Sequence, residues 1–151
     1  MPKAPAHKRR RKPPFFHPVP VRARSDGWSI ARQCVFLAKL YLTGSVGAAA
    51  KAVGMSRNSA YRLRARDGAE DFAFAWDAVL TPPGAGRLSR AKPHWRKVTS
   101  AELNRRVTTG LVQPVIYRGE IVHIRRKPDN SALLRLLRRL DAANKRSGAA
   151  P

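Results

Sequence analysis

Residues 48–66 of the chain read AAAKAVGMSRNSAYRLRAR, and they combine side chains that can recognise nucleic acid bases and phosphates. An arginine can donate two hydrogen bonds to guanine, and an asparagine can donate one hydrogen bond to adenine and accept another from it. Arg57 and Asn58 are therefore the candidates for reading bases. Hydroxyls and cations suit phosphates, whose contacts fix position but carry little sequence information. The predicted DNA-binding set is completed by Lys51, Ser56, Tyr61, Arg62, Arg64 and Arg66.

The same stretch contains the spacing of two helices that cross at a short turn. Such a crossing needs small residues at the contact and a glycine in the turn, and Gly54 supplies the positive φ that the turn requires. The positions of the pattern are Val46, Ala49, Ala50, Val53, Gly54, Met55, Ala60 and Leu63. Ser56 is the expected N-cap of the second helix, which in a helix-turn-helix motif enters the major groove with its N-terminal residues. A solvated cationic face is the simpler reading, but the absence of acids favours DNA.

Two further helices are expected to support this pair and to complete a first domain over residues 28–80. The apolar spacing of Ile30, Cys34, Leu37 and Tyr41 predicts a helix that Ser29 caps and Gly44 ends. After the motif, Asp67 and Glu70 have capping-box spacing, and they precede an apolar stripe that Pro82 and Pro83 terminate. The stripe consists of Phe72, Trp76 and Val79.

A Pro/Gly-rich linker over residues 81–93 separates this domain from a second unit over residues 94–145. The second unit begins with a helix that runs from Trp95 to Gly110. A β-hairpin that turns at Arg118-Gly119 follows, and a leucine-rich helix is expected to cover it. This last helix is also a candidate for contacts with a second protomer. Residues 146–151 are predicted to be a disordered tail, and the fold class is mainly α.

The charge of the chain points to a polyanionic partner. The 151 residues include 31 Lys and Arg against 9 Asp and Glu, a formal net charge of +22, which repels itself unless a polyanion is present. Residues 1–27 contain many prolines and basic residues without apolar periodicity, so they predict a disordered arm. The arm residues expected to follow the DNA backbone are Lys8, Arg9, Arg10, Arg11 and Lys12. A nuclear import signal fits these residues equally well.

Catalysis, metal binding and membrane insertion are not expected from this sequence. The acids nearest the motif fit helix caps and surface groups better than the separated carboxylates of a two-metal nuclease. These acids are Asp67, Glu70, Asp71 and Asp77. The four histidines are scattered, Cys34 falls on an apolar helix face, and no apolar run approaches the roughly 20 residues of a membrane span. We expect no cofactor and a cytoplasmic, nucleoid-associated protein.

Residues 28–80 resemble helix-turn-helix modules of prophage-encoded and other bacterial DNA-binding proteins. The continuation GLVQPVIYRGEIVHIRRKPDNSALLRLLRRL resembles the segment that follows this module in small-terminase-like proteins. The resemblance implies recognition of a packaging-start site on phage DNA, presentation of that site to a separate large ATPase and nuclease subunit, and assembly of several protomers. Such segments are generally acidic around the fifth helix and the hairpin. This chain differs because it has basic residues there, namely Arg105, Arg106, Arg125, Arg126 and Lys127.

Three other functions are compatible with the residues. They are a transcriptional regulator, a transposition accessory protein and a basic RNA-binding structural protein. RNA binders commonly stack bases on exposed aromatic rings. Here the aromatic residues fit core stripes, which favours double-stranded DNA as the partner. These aromatic residues are Trp28, Phe36, Phe72, Trp76 and Trp95.

Overall fold

The structure is a computed structural model that describes residues 10–22, 24–86, 88–90 and 95–148. It is mainly helical with one two-stranded antiparallel hairpin, which confirms the predicted fold class. The elements are α1 (Ile30–Thr43), α2 (Val46–Ala52), α3 (Arg57–Arg64), α4 (Glu70–Leu80), α5 (Ser100–Thr109), β1 (Leu111–Tyr117), β2 (Glu120–Lys127) and α6 (Asn130–Gly148). None of the described helices is long and apolar enough to cross a membrane.

The chain divides into two compact units whose boundaries differ from the predicted domains. The first unit contains Met1–Arg90 and Val112–Arg126, and the second contains Ala91–Leu111 and Lys127–Pro151. The hairpin therefore belongs with the helix-turn-helix helices, whereas the sequence analysis assigned it to the second unit. The physical reason is that Ile116 and Ile124 of the hairpin pack against the apolar core of the first unit.

Serine caps set the starts of the first three helices. The hydroxyls of Ser29, Ser45 and Ser56 each accept a hydrogen bond from the backbone N–H three residues later, at 3.0 to 3.2 Å. Such a bond satisfies one of the N–H groups that a helix start leaves without a partner. Gly44 ends α1 with a φ of 69°. The predictions for Ser29, Ser56 and Gly44 are therefore confirmed.

The start of α4 differs from the predicted capping box. Ala69 occupies the cap position and makes no side-chain hydrogen bond to the helix. Gly68 has a φ of 85°, and the N–H of Ala69 donates to the Arg66 carbonyl at 3.1 Å. This turn places Asp67 before the helix start, so its carboxylate does not cap α4.

Aromatic side chains from three parts of the sequence form the centre of the first unit. Phe36 of α1 lies 5.5 Å from the ring of Trp28, 6.0 Å from Phe72 and 5.0 Å from Trp76. All four side chains are buried, as predicted. Cys34 is also buried, and burial raises the pKa of its thiol to about 12 although the Arg126 charge acts in the opposite direction. The thiol is therefore protonated and serves as a core side chain.

The segment before α1 packs into this core, which corrects the prediction of a disordered arm for residues 10–22, whereas residues 1–9 and 23 of the predicted arm lie outside the described residues. Phe16 and Val19 are buried. Phe16 exchanges two backbone hydrogen bonds with Val112 of β1, at 2.9 and 3.0 Å, and its ring lies 5.9 Å from Phe72. The side chain of Gln33 accepts from the Val19 N–H at 2.8 Å and donates to the Val19 carbonyl at 3.1 Å. Residues 10–22 thus have a buried ring and paired backbone groups.

The carboxylate of Asp71 ties this segment to α4. It accepts a hydrogen bond from the His17 backbone N–H at 2.6 Å and contacts the His17 imidazole at 3.0 Å. The guanidinium of Arg90 lies 3.2 Å from its other oxygen. Burial by itself would raise the pKa of Asp71, but the His17 hydrogen bonds and the Arg90 charge together hold it below its ordinary value of 3.8.

The hairpin turns at the predicted residues. Arg118 has a φ of 51° and Gly119 a φ of 79°, which is the pair of positive φ angles that a tight two-residue hairpin turn adopts. The amide of Gln113 donates to the Pro13 carbonyl at 2.9 Å. This bond joins the N-terminal segment of the first unit to β1.

The second unit is a pair of helices with a small core. Thr99 caps α5 and Asp129 caps α6 through bonds of 3.1 and 3.0 Å. Val98, Leu103 and Ala132 are its buried apolar residues. A guanidinium of α6 stacks on the Trp95 ring, with Arg135 at 3.8 Å from the ring centroid, so this tryptophan is half-buried.

The leucine face of α6 is exposed, and this corrects a second prediction. Leu133, Leu137 and Leu140 were expected to cover the hairpin, but all three are exposed to solvent, as is Leu134. Instead α6 packs on α5 through the face that carries Ala132 and Leu136. The helix also continues to Gly148, so the predicted tail is helical over residues 146–148.

Candidate nucleic-acid interface

A tight turn sets the position of α3 relative to α2. Gly54 adopts a φ of 74° and donates its N–H to the Lys51 carbonyl at 3.0 Å. The N–H of Met55 then donates to the Ala50 carbonyl at 2.9 Å. These two bonds satisfy carbonyls at the end of α2 and redirect the chain within a few residues. The positive φ predicted for Gly54 is confirmed.

The side chains of α3 separate into a buried face and an exposed face. Ala60 and Leu63 are buried against the core, as predicted. At 100° per residue, the opposite side of the helix is formed by four of the predicted contact residues. These exposed residues are Arg57, Asn58, Tyr61 and Arg62. The structure therefore brings the predicted base-reading side chains and two of the phosphate-binding side chains onto one surface.

Tyr61 is held at the centre of this surface. Its ring lies 5.2 Å from the buried ring of Trp76, and the Arg57 guanidinium lies 5.7 Å from the Tyr61 centroid. The residue still exposes 43% of its surface. The aromatic contact with Trp76 restricts the orientation of the Tyr61 ring.

Arg64, a residue of the predicted DNA-binding set, has an acidic partner within the first unit. Its guanidinium donates two hydrogen bonds to the carboxylate of Asp77 at 2.8 and 3.0 Å. The same group lies 5.1 Å from the Trp76 centroid. A bidentate pair of hydrogen bonds of this kind fixes the geometry between the guanidinium and the carboxylate. Arg64 therefore connects the end of α3 to α4.

Two serines position α3 from its start and its inner side. The Ser56 hydroxyl, predicted to bind phosphate, accepts the capping bond from the Ser59 N–H at 3.0 Å. The hydroxyl of Ser59 in turn accepts a hydrogen bond from the indole of Trp28 at 2.8 Å. Ser59 was not singled out by the sequence analysis. Its position between Asn58 and Ala60 carries no signal without knowledge of where Trp28 packs.

The charged residues of α2 and α3 are all positive. Neither helix contains an acidic residue, and the exposed cations include Lys51 in the last turn of α2 and Arg66 just after α3. The carboxylate of Asp77, which lies beside the end of α3, is already paired with Arg64. Such a surface attracts a polyanion over a distance of about a Debye length, roughly 8 Å at physiological salt.

The predicted arm residues have other partners. Arg10 donates to the carbonyls of Tyr41 and Leu42 at 2.6 and 3.0 Å, at the end of α1. Arg11 donates to the carbonyls of Pro82 and Gly86. Both side chains therefore hold the N-terminal segment to the first unit, which corrects their assignment as a free arm. Lys12 is exposed, and Lys8 and Arg9 lie outside the described residues.

Two acids of α4 take part in ion pairs. Asp71 is paired with His17 and Arg90, and Asp77 with Arg64. In the part of the chain that the structure describes, no group of three or more His, Cys, Asp or Glu side chains is placed to hold a metal ion.

Comparisons of the chain with protein-family models, curated proteins and solved structures find no match.

Proposed function

We propose that the chain binds double-stranded DNA without catalysing a reaction and that α3 enters the major groove. The observation that carries this proposal is the exposed face of α3, where Arg57, Asn58 and Arg62 surround a tyrosine that the core supports. Arg57 and Asn58 lie in the first turn of α3, from which recognition helices of helix-turn-helix proteins contact bases. Arg62, Lys51 and Arg66 would contact phosphates. The protein would act inside the cell, on nucleoid or phage DNA.

The burial of aromatic side chains favours duplex DNA over single-stranded RNA. Recognition of single strands uses exposed rings as stacking surfaces. In the first unit the rings of Trp28, Phe36, Phe72 and Trp76 are buried in the core. The ring of Tyr61 is tilted against Trp76 of the same core, so it offers a hydroxyl more readily than a ring face.

Competition binding is the first test of this proposal. A duplex of mixed sequence, the matching single strand and a structured RNA of equal length are compared at equal salt, because affinity for any polyanion falls steeply with salt. We expect the duplex to be bound most tightly. Equal or tighter binding of the RNA would contradict the proposal and favour the RNA-binding alternative.

Base reading is tested with variants of α3. A preferred site is first selected from random duplexes, and Arg57→Ala and Asn58→Ala are then compared on that site and on random DNA. Removal of a bidentate contact to a base should weaken the binding free energy by about 1 to 3 kcal/mol on the preferred site and by much less on random DNA. The matched control is Arg22→Ala, which removes one exposed cation from the segment before α1. If all three variants lose the same affinity on both DNAs, α3 does not read bases.

We also propose that the exposed leucines of α6 pair with a second copy of the chain. Leu133, Leu137 and Leu140 repeat at i, i+4 and i+7, the spacing of a helix face that packs against another helix. Sedimentation at several protein concentrations tests this: Leu137→Glu should abolish self-association. A monomeric wild-type chain at all concentrations would contradict it.

A role in phage DNA packaging is the narrower form of the proposal, and it rests on the resemblance of residues 28–80 and of the hairpin and α6 segment. It requires a separate large ATPase and nuclease subunit as partner. Recovery of such a subunit with the chain from cells in which phage is induced would support it. A transcriptional regulator would instead bind promoter DNA and change transcription without that partner.

A further inference from the structure

We propose that the tip of the β1–β2 hairpin is a second DNA-binding element, which contacts phosphates of the same duplex that α3 reads. The inference rests on the proposed function of α3 and adds to it a site on another part of the first unit. Three observations support it: the attachment of the hairpin, the conformation of its tip and the charge of β2.

The hairpin is firmly attached to the unit that carries α3. Val112 exchanges two backbone hydrogen bonds with Phe16, and Ile116 and Ile124 pack against the core. The ring of Phe16 contacts Phe72 of α4, and α4 contacts α3 through Trp76 and Tyr61. The hairpin and α3 are therefore both attached to one compact core.

The tip combines an unusual backbone position with two exposed functional groups. Arg118 adopts a φ of 51°, and it is the one described residue other than glycine with a positive φ. Asparagine, aspartate or glycine is preferred at this position of a tight hairpin turn. The Arg118 guanidinium lies 5.3 Å from the centroid of Tyr117, which exposes 60% of its surface. Such outliers cluster at binding sites, where the residue is retained for its side chain.

The strand that leaves the tip is cationic. Arg125 and Arg126 are both exposed, and Glu120 is the single acid of β2. Cations on an edge strand also prevent pairing with strands of other molecules. That explanation covers the strand but does not cover Arg118, which lies in the turn outside the ladder of hydrogen bonds.

Phosphates are the DNA groups that best fit this tip. An arginine donates two parallel hydrogen bonds to a phosphate, and a tyrosine hydroxyl donates one. The hairpin would therefore add affinity and salt dependence, whereas α3 would supply discrimination between sequences. The two elements can be separated experimentally because they predict different changes in the same binding data.

The test is the salt dependence of binding to a random duplex by Arg118→Gly in the full chain. Glycine adopts a positive φ readily, so the melting temperature should be equal to or above that of the wild type. The slope of log K against log salt should become shallower by about 0.9 for each phosphate that is no longer neutralised, with roughly a threefold to tenfold drop in affinity at moderate salt. Arg118→Asn should show the same drop, and Arg118→Lys should keep the slope.

The control is Arg22→Ala, which removes one exposed charge from the same unit and should leave the slope unchanged. A wild-type slope for both Arg118→Gly and Arg118→Asn would overturn the inference, as would an equal change for Arg22→Ala. If Arg57→Ala and Asn58→Ala still lose discrimination in that case, the proposed function of α3 stands alone. If the wild-type chain binds no duplex, both proposals fail together.

Discussion

The two units of the chain differ in how completely each buries its apolar residues. In the first unit four large aromatic rings and the side chain of Phe16 are buried around α1 and α4. In the second unit only three described apolar residues are buried, and four leucines of α6 are exposed to solvent, namely Leu133, Leu134, Leu137 and Leu140. Small units bury too little surface for independent stability. The comparison indicates that α3 is supported by a well-packed core, whereas α6 leaves an apolar face exposed to solvent.

The largest effect is expected where the N-terminal segment enters the first core. Phe16→Ala should destabilise the protein by about 3 to 5 kcal/mol, because it leaves a large cavity beside Phe72. Urea unfolding measures the change, and Tyr117→Ala serves as a control because that aromatic side chain is exposed. A change below about 1 kcal/mol for Phe16→Ala would mean that the segment does not belong to the core.

A smaller effect is expected at the turn between α2 and α3. Gly54→Val should cost on the order of 1 to 3 kcal/mol, because a β-branched residue is strained at a φ of 74°. An added Cβ would meet no atom within 4 Å there, so the cost is that of the backbone alone. The control is Gly47→Ala inside α2, which should be neutral or slightly stabilising. Thermal unfolding of both variants is compared with that of the wild type. A melting temperature of Gly54→Val equal to that of the wild type would contradict the positive φ at this turn.

The half-buried carboxylate of Asp71 predicts that stability depends on pH. Asp71→Asn should cost on the order of 1.5 kcal/mol at neutral pH, because it removes the charged acceptor of the His17 and Arg90 bonds. The pKa of Asp71 is lowered on folding, so its contribution is present above pH 3.8 and is lost as the pH falls through the folded-state pKa.

Unfolding by urea at pH 7 and at acidic pH measures this effect. The difference between wild type and Asp71→Asn should shrink as the pH falls below 3.8. Asp77→Asn is the control, because the Asp77 side chain is 61% exposed and a surface ion pair contributes about 0 to 1 kcal/mol. If the difference in unfolding free energy between wild type and Asp71→Asn does not change with pH, the Asp71 charge does not stabilise the contact between the N-terminal segment and α4.

The smallest effects are expected on α6, where neighbouring leucines differ in burial. Leu136 packs against the second core, whereas Leu137 is 47% exposed. In dilute solution Leu136→Ala should destabilise more than Leu137→Ala, which should change stability by less than about 0.5 kcal/mol. If a second copy covers the leucine face, the cost of Leu137→Ala should grow with protein concentration. Equal effects of the two substitutions at every concentration would contradict the difference in burial.

Local patterns in the sequence predicted the parts of the fold that depend on nearby residues. The caps at Ser29 and Ser56, the positive φ at Gly54 and the hairpin turn at Arg118-Gly119 follow from residues within a few positions of each site. The inward positions of Ala60 and Leu63 follow from helical periodicity in the same way. The exposed face of α3 could therefore be assigned before any tertiary contact was known.

The features that the sequence did not reveal depend on distant contacts. Nothing near Phe16 indicates that its backbone pairs with Val112, since prolines on both sides resemble those of a disordered segment. The role of Arg64 is set by Asp77, which becomes its neighbour only when α3 and α4 pack together. The leucines of α6 have the spacing of a buried helix face. Periodicity alone cannot distinguish a helix face that is buried within the chain from one that is exposed to solvent.

The hydrogen bond from Gln113 to the Pro13 carbonyl joins residues separated by 100 positions, and it has a consequence for the order of folding. During synthesis the helices of the first unit leave the ribosome well before β1 does. Until Val112 emerges, Phe16 has no strand to pair with, so the nascent chain exposes an apolar edge. Contacts of such long range slow folding and lengthen exposure to aggregation. A gene fragment that stops within residues 81–93 would leave the protein permanently at that stage.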